Sequence, residues 1–179
     1  MRAALAAALA ITAALAVPQA SAAGTPVLDG KKVKSLSIIQ ESGPAARGVD
    51  PTPAQVAACK APDCARLPFV YKPAKGVSAS LSVTERNFYA GLGDVDLYLL
   101  QGSTVIASCT GTFSNKRHIT VPASALKPGA TYTAVMFYSH SIGESTSMTV
   151  DLPGTKAPEP VVVDASKAFP EYSTTSCGL

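Results

Sequence analysis

The segment Leu126–Tyr132, with the sequence LKPGATY, decides the fold class of this chain. Pro128-Gly129 predicts a tight turn, because proline fixes φ at about −65° and glycine tolerates positive φ. Tyr132 then opens an apolar, β-prone run that extends to Tyr138. A leucine, a Pro-Gly pair and a tyrosine in this order are typical of the corner where a Greek-key sandwich passes between its sheets. We expect the leucine to fill the core and the tyrosine hydroxyl to bond the backbone of the arch.

Apolar and polar residues alternate with a period of two on both sides of this corner. Val77–Thr84 alternates apolar residues with serine or threonine, which is typical of a half-buried strand. Asp94–Leu100 predicts a second strand with Val95, Leu97 and Leu99 facing inward. Further strands are predicted at Val33–Ile39, Thr104–Cys109, His118–Val121, Thr131–Ser139 and Ser145–Leu152, with an edge strand at Val161–Val163. The sequence therefore predicts an all-β, Greek-key or jelly-roll-like sandwich.

A short helix is expected within a proline-rich insertion, residues 42–68. Thr52–Gln55 has the sequence TPAQ, in which threonine can cap the helix and proline suits its first position. The glutamine can return a hydrogen bond to the cap, which completes a capping box. The helix should end before Pro62.

The N-terminus has the features of a secretory signal peptide. Arg2 supplies its positive charge, Leu5–Val17 is an apolar run too short to span a bilayer, and Ala20–Ala22 is a small-residue cleavage site. We expect residues 1–22 to be removed and the protein to be secreted into the extracellular space.

Residues 23–179 are expected to form a single β-sandwich domain and a monomer. Its core would be residues 77–152, preceded by a strand and a cysteine loop in 31–68 and followed by a proline-rich tail, 153–179. The charges of the chain sum to only +3 and are scattered. This pattern argues against nucleic acid and against an anionic membrane surface as partners.

Four cysteines in a secreted chain predict two disulfides. Three pairings are possible, and we favour Cys59–Cys64 together with Cys109–Cys177, which would fasten the C-terminal tail to the sandwich. In the chain-entropy description the short loop contributes about 2 kcal/mol and the long one about 4 kcal/mol. A zinc site is disfavoured by the cysteine spacing and by the presence of only two histidines.

Two motifs give the chain a family resemblance. Gly93–Leu100, with the sequence GDVDLYLL, and Leu126–Tyr132 follow each other as in the bacterial pre-peptidase C-terminal domain, and the resemblance covers about Val77–Leu152. It implies a non-catalytic β-sandwich of the kind that accompanies secreted hydrolases, and relatives bind matrix proteins, glycans or calcium. This chain departs from the pattern, because residues 23–76 are too short to form a hydrolase domain.

Asp94 and Asp96 are the candidate calcium ligands. They lie two residues apart on a predicted strand, so their carboxylates would point to the same face. A calcium ion could join them with carbonyl oxygens of Gly91–Gly93, since Ca²⁺ prefers several oxygen ligands. The alternative is that Asp94 caps the turn and Asp96 bonds a neighbouring loop. Beyond this possible calcium ion, no cofactor is expected.

No catalytic residue is predicted, and the chain is not expected to be an enzyme. His140 lies between Ser139 and Ser141, with Asp151 expected on the next strand, but adjacent strand residues point to opposite faces. A Gly-x-Ser-x-Gly nucleophile motif is missing from the sequence. His118 is expected to face solvent.

Asn87, Phe88 and Tyr89 form the candidate ligand-binding segment, since aromatic residues in a turn between strands are unusual without a partner. The alternative is that one of the two rings closes the end of the core. The expected function is a non-catalytic extracellular binding or accessory protein, with an extracellular protein or polysaccharide as its ligand. A second hypothesis is an inhibitor or partner of a secreted peptidase that presents Lys60–Asp63 of the cysteine loop, and a third is a purely structural protein.

Overall fold

The chain folds as two β-sheets packed face to face. A computed structural model describes residues 24–46, 51–77, 80–87, 94–110, 116–143, 145–152 and 175–178, with the backbone alone for 44–46, 87, 142 and 175–178. The strands are β1 (Val27–Leu28), β2 (Ser35–Glu41), β3 (Pro44–Ala46), β4 (Cys64–Tyr71), β5 (Leu81–Asn87), β6 (Asp94–Gln101), β7 (Thr104–Cys109), β8 (Lys116–Val121), β9 (Thr131–Ile142), β10 (Ser145–Asp151) and β11 (Thr175–Gly178). The helix is α1 (Pro53–Ala58), and a single 3-10 turn covers Ala123–Ala125.

The first sheet has the strand order β1-β4-β9-β6-β7, with β3 added beside β9, and the second has the order β11-β8-β5-β10-β2. Most neighbours are antiparallel, while β1 with β4 and β11 with β8 are parallel. The prediction of an all-β sandwich with one short helix is confirmed. The predicted signal peptide and the predicted strand Val161–Val163 lie outside the described residues. In the part of the chain that the structure describes, no helix is long and apolar enough to cross a membrane.

The first long strand begins two residues later than the sequence pattern indicates, at Ser35 instead of Val33. The cause is Asp29, whose carboxylate accepts hydrogen bonds from the backbone N–H groups of Lys31, Lys32 and Val33 at 2.8 to 2.9 Å. This side chain holds the segment in a turn, and a backbone donor that bonds aspartate cannot join a strand ladder.

The main core lies between the sheets and contains alternate residues of the long strands. Val95, Leu97 and Leu99 of β6 are fully buried in it, as predicted. A second apolar cluster lies on the outer face of the first sheet, where Tyr98 and Leu100 pack with Val56 of α1. The centre of β6 is therefore buried on both faces.

Helix α1 owes its position to local bonds at both of its ends. Gln55 N–H donates to Thr52 Oγ1 (3.3 Å) and Thr52 N–H donates to Gln55 Oε1 (2.8 Å), which is the predicted capping box. At the other end the Arg66 guanidinium donates to the carbonyl oxygens of Val56 and Ala57 at 3.0 and 3.1 Å. These bonds satisfy backbone groups that a short helix leaves without intrahelical partners.

The Leu126–Tyr132 segment forms the corner at one end of the sandwich. Gly129 has a φ of 85°, and the buried Tyr132 accepts a hydrogen bond from the Lys127 N–H at its hydroxyl (2.8 Å). The Tyr132 ring packs against Phe69 and Tyr71 at centroid distances of 6.1 and 6.0 Å. The corner thus joins a turn to the core through one aromatic side chain.

The Tyr132→Phe variant should lower the free energy of unfolding by about 1 to 2 kcal/mol, because the Lys127 N–H loses its acceptor while the ring packing is kept. Chemical denaturation followed by circular dichroism measures this. Lys127→Ala is the matched control, since it keeps the backbone donor and removes only an exposed side chain. An equal loss in both variants would contradict the role of the hydroxyl.

Candidate functional site

Most of the strands and loops that carry the candidate residues meet at the end of the sandwich opposite the corner. Asn87 ends β5, Asp94 begins β6, Lys116 begins β8 and Ser145 begins β10. The register brings these termini together, since Asn87 is opposite Thr146 and Asp94 is opposite His140 in the ladders. We call this end the loop end.

Arg117 connects the two sheets at the loop end. It is fully buried and lies on the same face of β8 as the core residues Ile119 and Val121. Its guanidinium crosses to β6 of the other sheet, where it donates to Asp94 Oδ1 at 2.6 Å and to the carbonyl oxygen of Val95. One cation of the second sheet therefore holds the first residues of a strand in the first sheet.

A second carboxylate belongs to the same region. Glu85 is fully buried and lies directly opposite Arg117 in the ladder between β5 and β8. Its position continues the inward-facing series of Leu81 and Val83. A buried ion group of this kind is costly to desolvate and is stable only while both signs of charge are present.

A β-bulge shapes a separate polar contact near the start of β6. Asp94 is opposite His140 and Val95 is opposite Tyr138, so Ser139 is the extra residue on β9. The Ser139 hydroxyl donates to Asp96 Oδ2, and Asp96 is fully buried. The bulge thereby supplies a hydrogen-bond donor to a carboxylate that burial would otherwise penalise.

Hydroxyl groups continue the polar region towards β2 and β10. The Tyr138 and Thr146 hydroxyls are hydrogen-bonded at 2.8 Å, and the Thr146 hydroxyl lies 3.3 Å from the carbonyl oxygen of Gln40. Ser42 and Ser141 are hydrogen-bonded to each other through their hydroxyls. These bonds connect the interior of the loop end to the edge of the second sheet.

The two candidate calcium ligands have separate protein partners. Asp94 is paired with Arg117, and Asp96 accepts from Ser139. A calcium ion at Asp94 would have to replace the guanidinium that already neutralises the carboxylate. Across the described ranges, no group of three or more His, Cys, Asp and Glu side chains could hold a metal ion. The predicted carbonyl ligands, Gly91–Gly93, lie outside those ranges.

The residues considered for a catalytic triad are not brought together. Ser139 and Ser141 are hydrogen-bonded to Asp96 and Ser42. Asp151 was expected on the strand next to His140, but β9 and β10 belong to different sheets, and Asp151 lies at the end of β10 away from the loop end. The chain passes from one sheet to the other between them.

His118 lies on the outer face of the second sheet, as expected for a residue on the solvent side, and it is half-buried there. Its Nδ1 and Nε2 atoms are each 2.9 Å from a hydroxyl, those of Thr84 and Thr120. Burial, followed by the positive charge of Lys116, lowers the pKa of His118, and Asp151 opposes that shift. Burial also raises the pKa of Asp151. The two hydroxyl partners and the lowered pKa indicate that the His118 ring is neutral and is held in place on the sheet.

Of the candidate ligand-binding segment, Asn87 is the last residue of β5 and lies opposite Thr146 at the loop end. Phe88 and Tyr89 lie outside the described residues. The neighbouring Arg86 is exposed on β5. This segment therefore leaves the sandwich at the end where Arg117 joins the sheets.

The cysteine loop forms a compact turn. Cys59 and Cys64 are disulfide-bonded with a Cα–Cα distance of 6.1 Å. Between them the four residues Lys60–Asp63 are exposed, and the Asp63 N–H donates to the Lys60 carbonyl oxygen at 2.9 Å. A segment that enters a protease cleft must be extended, whereas this segment reverses direction, and its conformation argues against the inhibitor hypothesis.

Cys109, at the end of β7, is also disulfide-bonded. Cys177 lies on β11, opposite Ile119 of β8, and β11 runs within contact range of β7. This backbone placement supports the Cys109–Cys177 pairing, which stays a prediction because the side chain of Cys177 is not described.

The sequence does not single out Glu85 and Arg117, although a signal for both exists. Each continues a period-two series of core residues, Leu81 and Val83 before Glu85, and Ile119 and Val121 after Arg117. A charged residue at an inward position of a strand indicates a buried partner of opposite sign.

No family model matches this chain, and no curated protein sequence matches it. The resemblance to the pre-peptidase C-terminal domain therefore stays a prediction that the two motifs carry.

The Arg117→Met variant should lower the free energy of unfolding by about 3 to 5 kcal/mol, because Asp94 loses its ion-pair partner and the buried Glu85 loses the cation opposite it in the ladder. Urea denaturation measures the loss. Arg86→Met, one residue from Glu85 on the exposed face of β5, is the matched control and should change stability by less than about 0.5 kcal/mol. Similar losses in the two variants would contradict a special role for the buried cation.

His118 should titrate below its ordinary pKa of 6.5, because burial disfavours the charged ring. Nuclear magnetic resonance of the ring protons measures this, with His118→Gln to assign the signal. The stability that His118 contributes is therefore lost as the pH falls from about 6.5 through the lowered pKa. Asp151→Asn should lower the pKa of His118 further, since it removes an attractive negative charge. An increase in that variant would contradict the assigned interaction.

Proposed function

We propose that this protein is a secreted, non-catalytic binding or accessory β-sandwich whose ligand, an extracellular protein or polysaccharide, binds at the loop end. The signal-peptide features of residues 1–22 and the disulfide-bonded state of Cys59, Cys64 and Cys109 support secretion. The two family motifs support a role beside secreted hydrolases.

The distribution of buried polar groups is the observation that carries the choice of the loop end. Among the described residues, every buried polar or charged side chain except Ser82 lies at this end: Ser42, Glu85, Asp96, Arg117, Ser139, Ser141 and Thr146. The opposite end is closed by the corner and by apolar packing. Buried charges contribute little net stability. The concentration of buried polar and charged side chains at one end therefore suggests that they serve a function other than stability.

The Arg117 bridge makes the loop end a rigid support for a binding site. Residues that recognise a ligand must be held by a rigid scaffold, because a loosely held site pays an ordering cost on binding. The guanidinium fixes the start of β6 against β8, and the segment that carries Asn87, Phe88 and Tyr89 ends at Asp94, its partner. The loop end thus supports its connecting segments with a directional ion pair.

Binding should be tested with the mature chain on insoluble polysaccharides and on immobilised collagen. Retention on one of them should fall by about tenfold or more in Phe88→Ala or Tyr89→Ala, because aromatic side chains dominate such contacts. Arg86→Ala at the loop end should weaken retention more than Lys75→Ala, which removes an exposed charge near the corner. Melting curves verify that each variant is folded.

Equal retention of all variants would exclude the loop end as the binding site. Failure of the wild type to bind any of these materials would favour the purely structural hypothesis. Inhibition of a secreted peptidase that is lost in Lys60→Ala would contradict the proposal and favour the cysteine loop as the active surface.

A further inference from the structure

Strand β2 (Ser35–Glu41) forms an open edge of the second sheet. It pairs with β10 along its whole length, and among the described strands it has no neighbour on its other side. None of its residues is buried, and Ile39 is 69% exposed, the highest value for a large apolar side chain in the described residues. An edge of this length presents a row of backbone N–H and C=O groups to a further strand.

The other sheet edges have features that oppose strand addition. β1 has only two residues, and β4 beside it contains the exposed Pro68, which has no N–H to donate. β7 is in contact with α1 and β8, and β11 has four residues. β2 has seven residues, no proline and no lysine within the strand. It is therefore the edge best suited to accept a partner.

The charges around β2 indicate which partner fits. Lys31, Lys32 and Lys34 precede the strand and are exposed, and Glu41 ends it and is exposed. A second copy aligned in the antiparallel direction places the lysines of each chain near Glu41 of the other. A parallel alignment would bring lysines against lysines. The edge is thus complementary to itself under a two-fold axis, which is the commonest symmetry of protein dimers.

The apolar residues agree with the same arrangement. The middle of β2 is Ile38, so a two-fold axis there brings the two Ile39 side chains to neighbouring positions on one face. Each exposed isoleucine would lose water contact against the other. The contact is small compared with a standard interface, so its affinity should lie in the micromolar range.

We propose that two copies of this protein associate through their β2 edges in an antiparallel pair, which joins their second sheets into one continuous sheet. The loop end and the corner both lie away from the central residues of β2. The proposal is therefore independent of the proposed ligand-binding function, and it replaces the expectation of a monomer.

Sedimentation velocity of the mature chain from about 1 to about 300 µM tests the proposal, because this range brackets a micromolar dissociation constant. The wild type should shift from monomer to dimer as its concentration rises. Ile39→Lys should raise the dissociation constant by about tenfold or more, since two lysines would meet beside the axis. Thr120→Lys is the matched control, because it adds the same charge to an exposed position on β8.

A wild type that stays monomeric over the whole range would overturn the proposal. This holds even if β2 binds an unrelated extended peptide. A dimer that Ile39→Lys leaves intact, or one that Thr120→Lys disrupts equally, would also overturn it. Melting curves ensure that the comparison is made between folded proteins.

Exchanging the charges at the two ends of β2 tests whether the two copies pair in the antiparallel direction. Glu41→Lys should weaken the dimer, and mixing it with a variant that carries Lys32→Glu and Lys34→Glu should produce a heterodimer stronger than either homodimer. An antiparallel pair requires this recovery, because each end of one strand meets the opposite end of the other. Absence of recovery, with both variants folded, would overturn the antiparallel arrangement.

Discussion

The burial of β6 and β9 on both faces is the constraint on which the rest of the structure depends. One face of each strand packs against the second sheet, and the other carries the apolar cluster that includes Val56 of α1. Polar groups can be accommodated only where these strands reach the ends of the sandwich. At one end Tyr132 bonds the corner, and at the other Arg117 pairs with Asp94 while Ser139 bonds Asp96. Because both faces of these strands are buried, their centres are apolar and their polar contacts lie at the two ends of the sandwich.

The sequence predicts the fold class because its local signals agree with one another. The corner motif, the period-two strands and the TPAQ helix start all act over fewer than a dozen residues, a range in which backbone preference and side-chain spacing are sufficient. The late start of β2 escapes prediction because the carboxylate of Asp29 captures three successive backbone donors. The Asp29-Gly30 pair predicts a turn, but it does not predict how many backbone N–H groups the carboxylate binds.

The candidate site is less accessible to sequence reasoning, because its contacts join distant parts of the chain. Asp94 is visible as part of a motif, but its partner Arg117 lies 23 positions away on the other sheet. The motif suggested a metal ion to balance the acidic pair, and the structure places a guanidinium of the chain at Asp94 and a serine from a bulge at Asp96. Where a bulge occurs depends on the pairing of β6 with β9, which no single segment encodes.

Because α1 covers part of the first sheet, the order of folding and disulfide formation matters for this chain. Val56 closes a cluster that includes Tyr98 and Phe137, and the Cys59–Cys64 bond ties the end of the helix to the start of β4. While those thiols are reduced, the helix is held only by its own packing and by Arg66. A chain that folds before oxidation can open its outer face and present aromatic surface to other chains. Oxidation of the two thiols during folding avoids that exposure, so the covering helix couples correct folding to the formation of one disulfide.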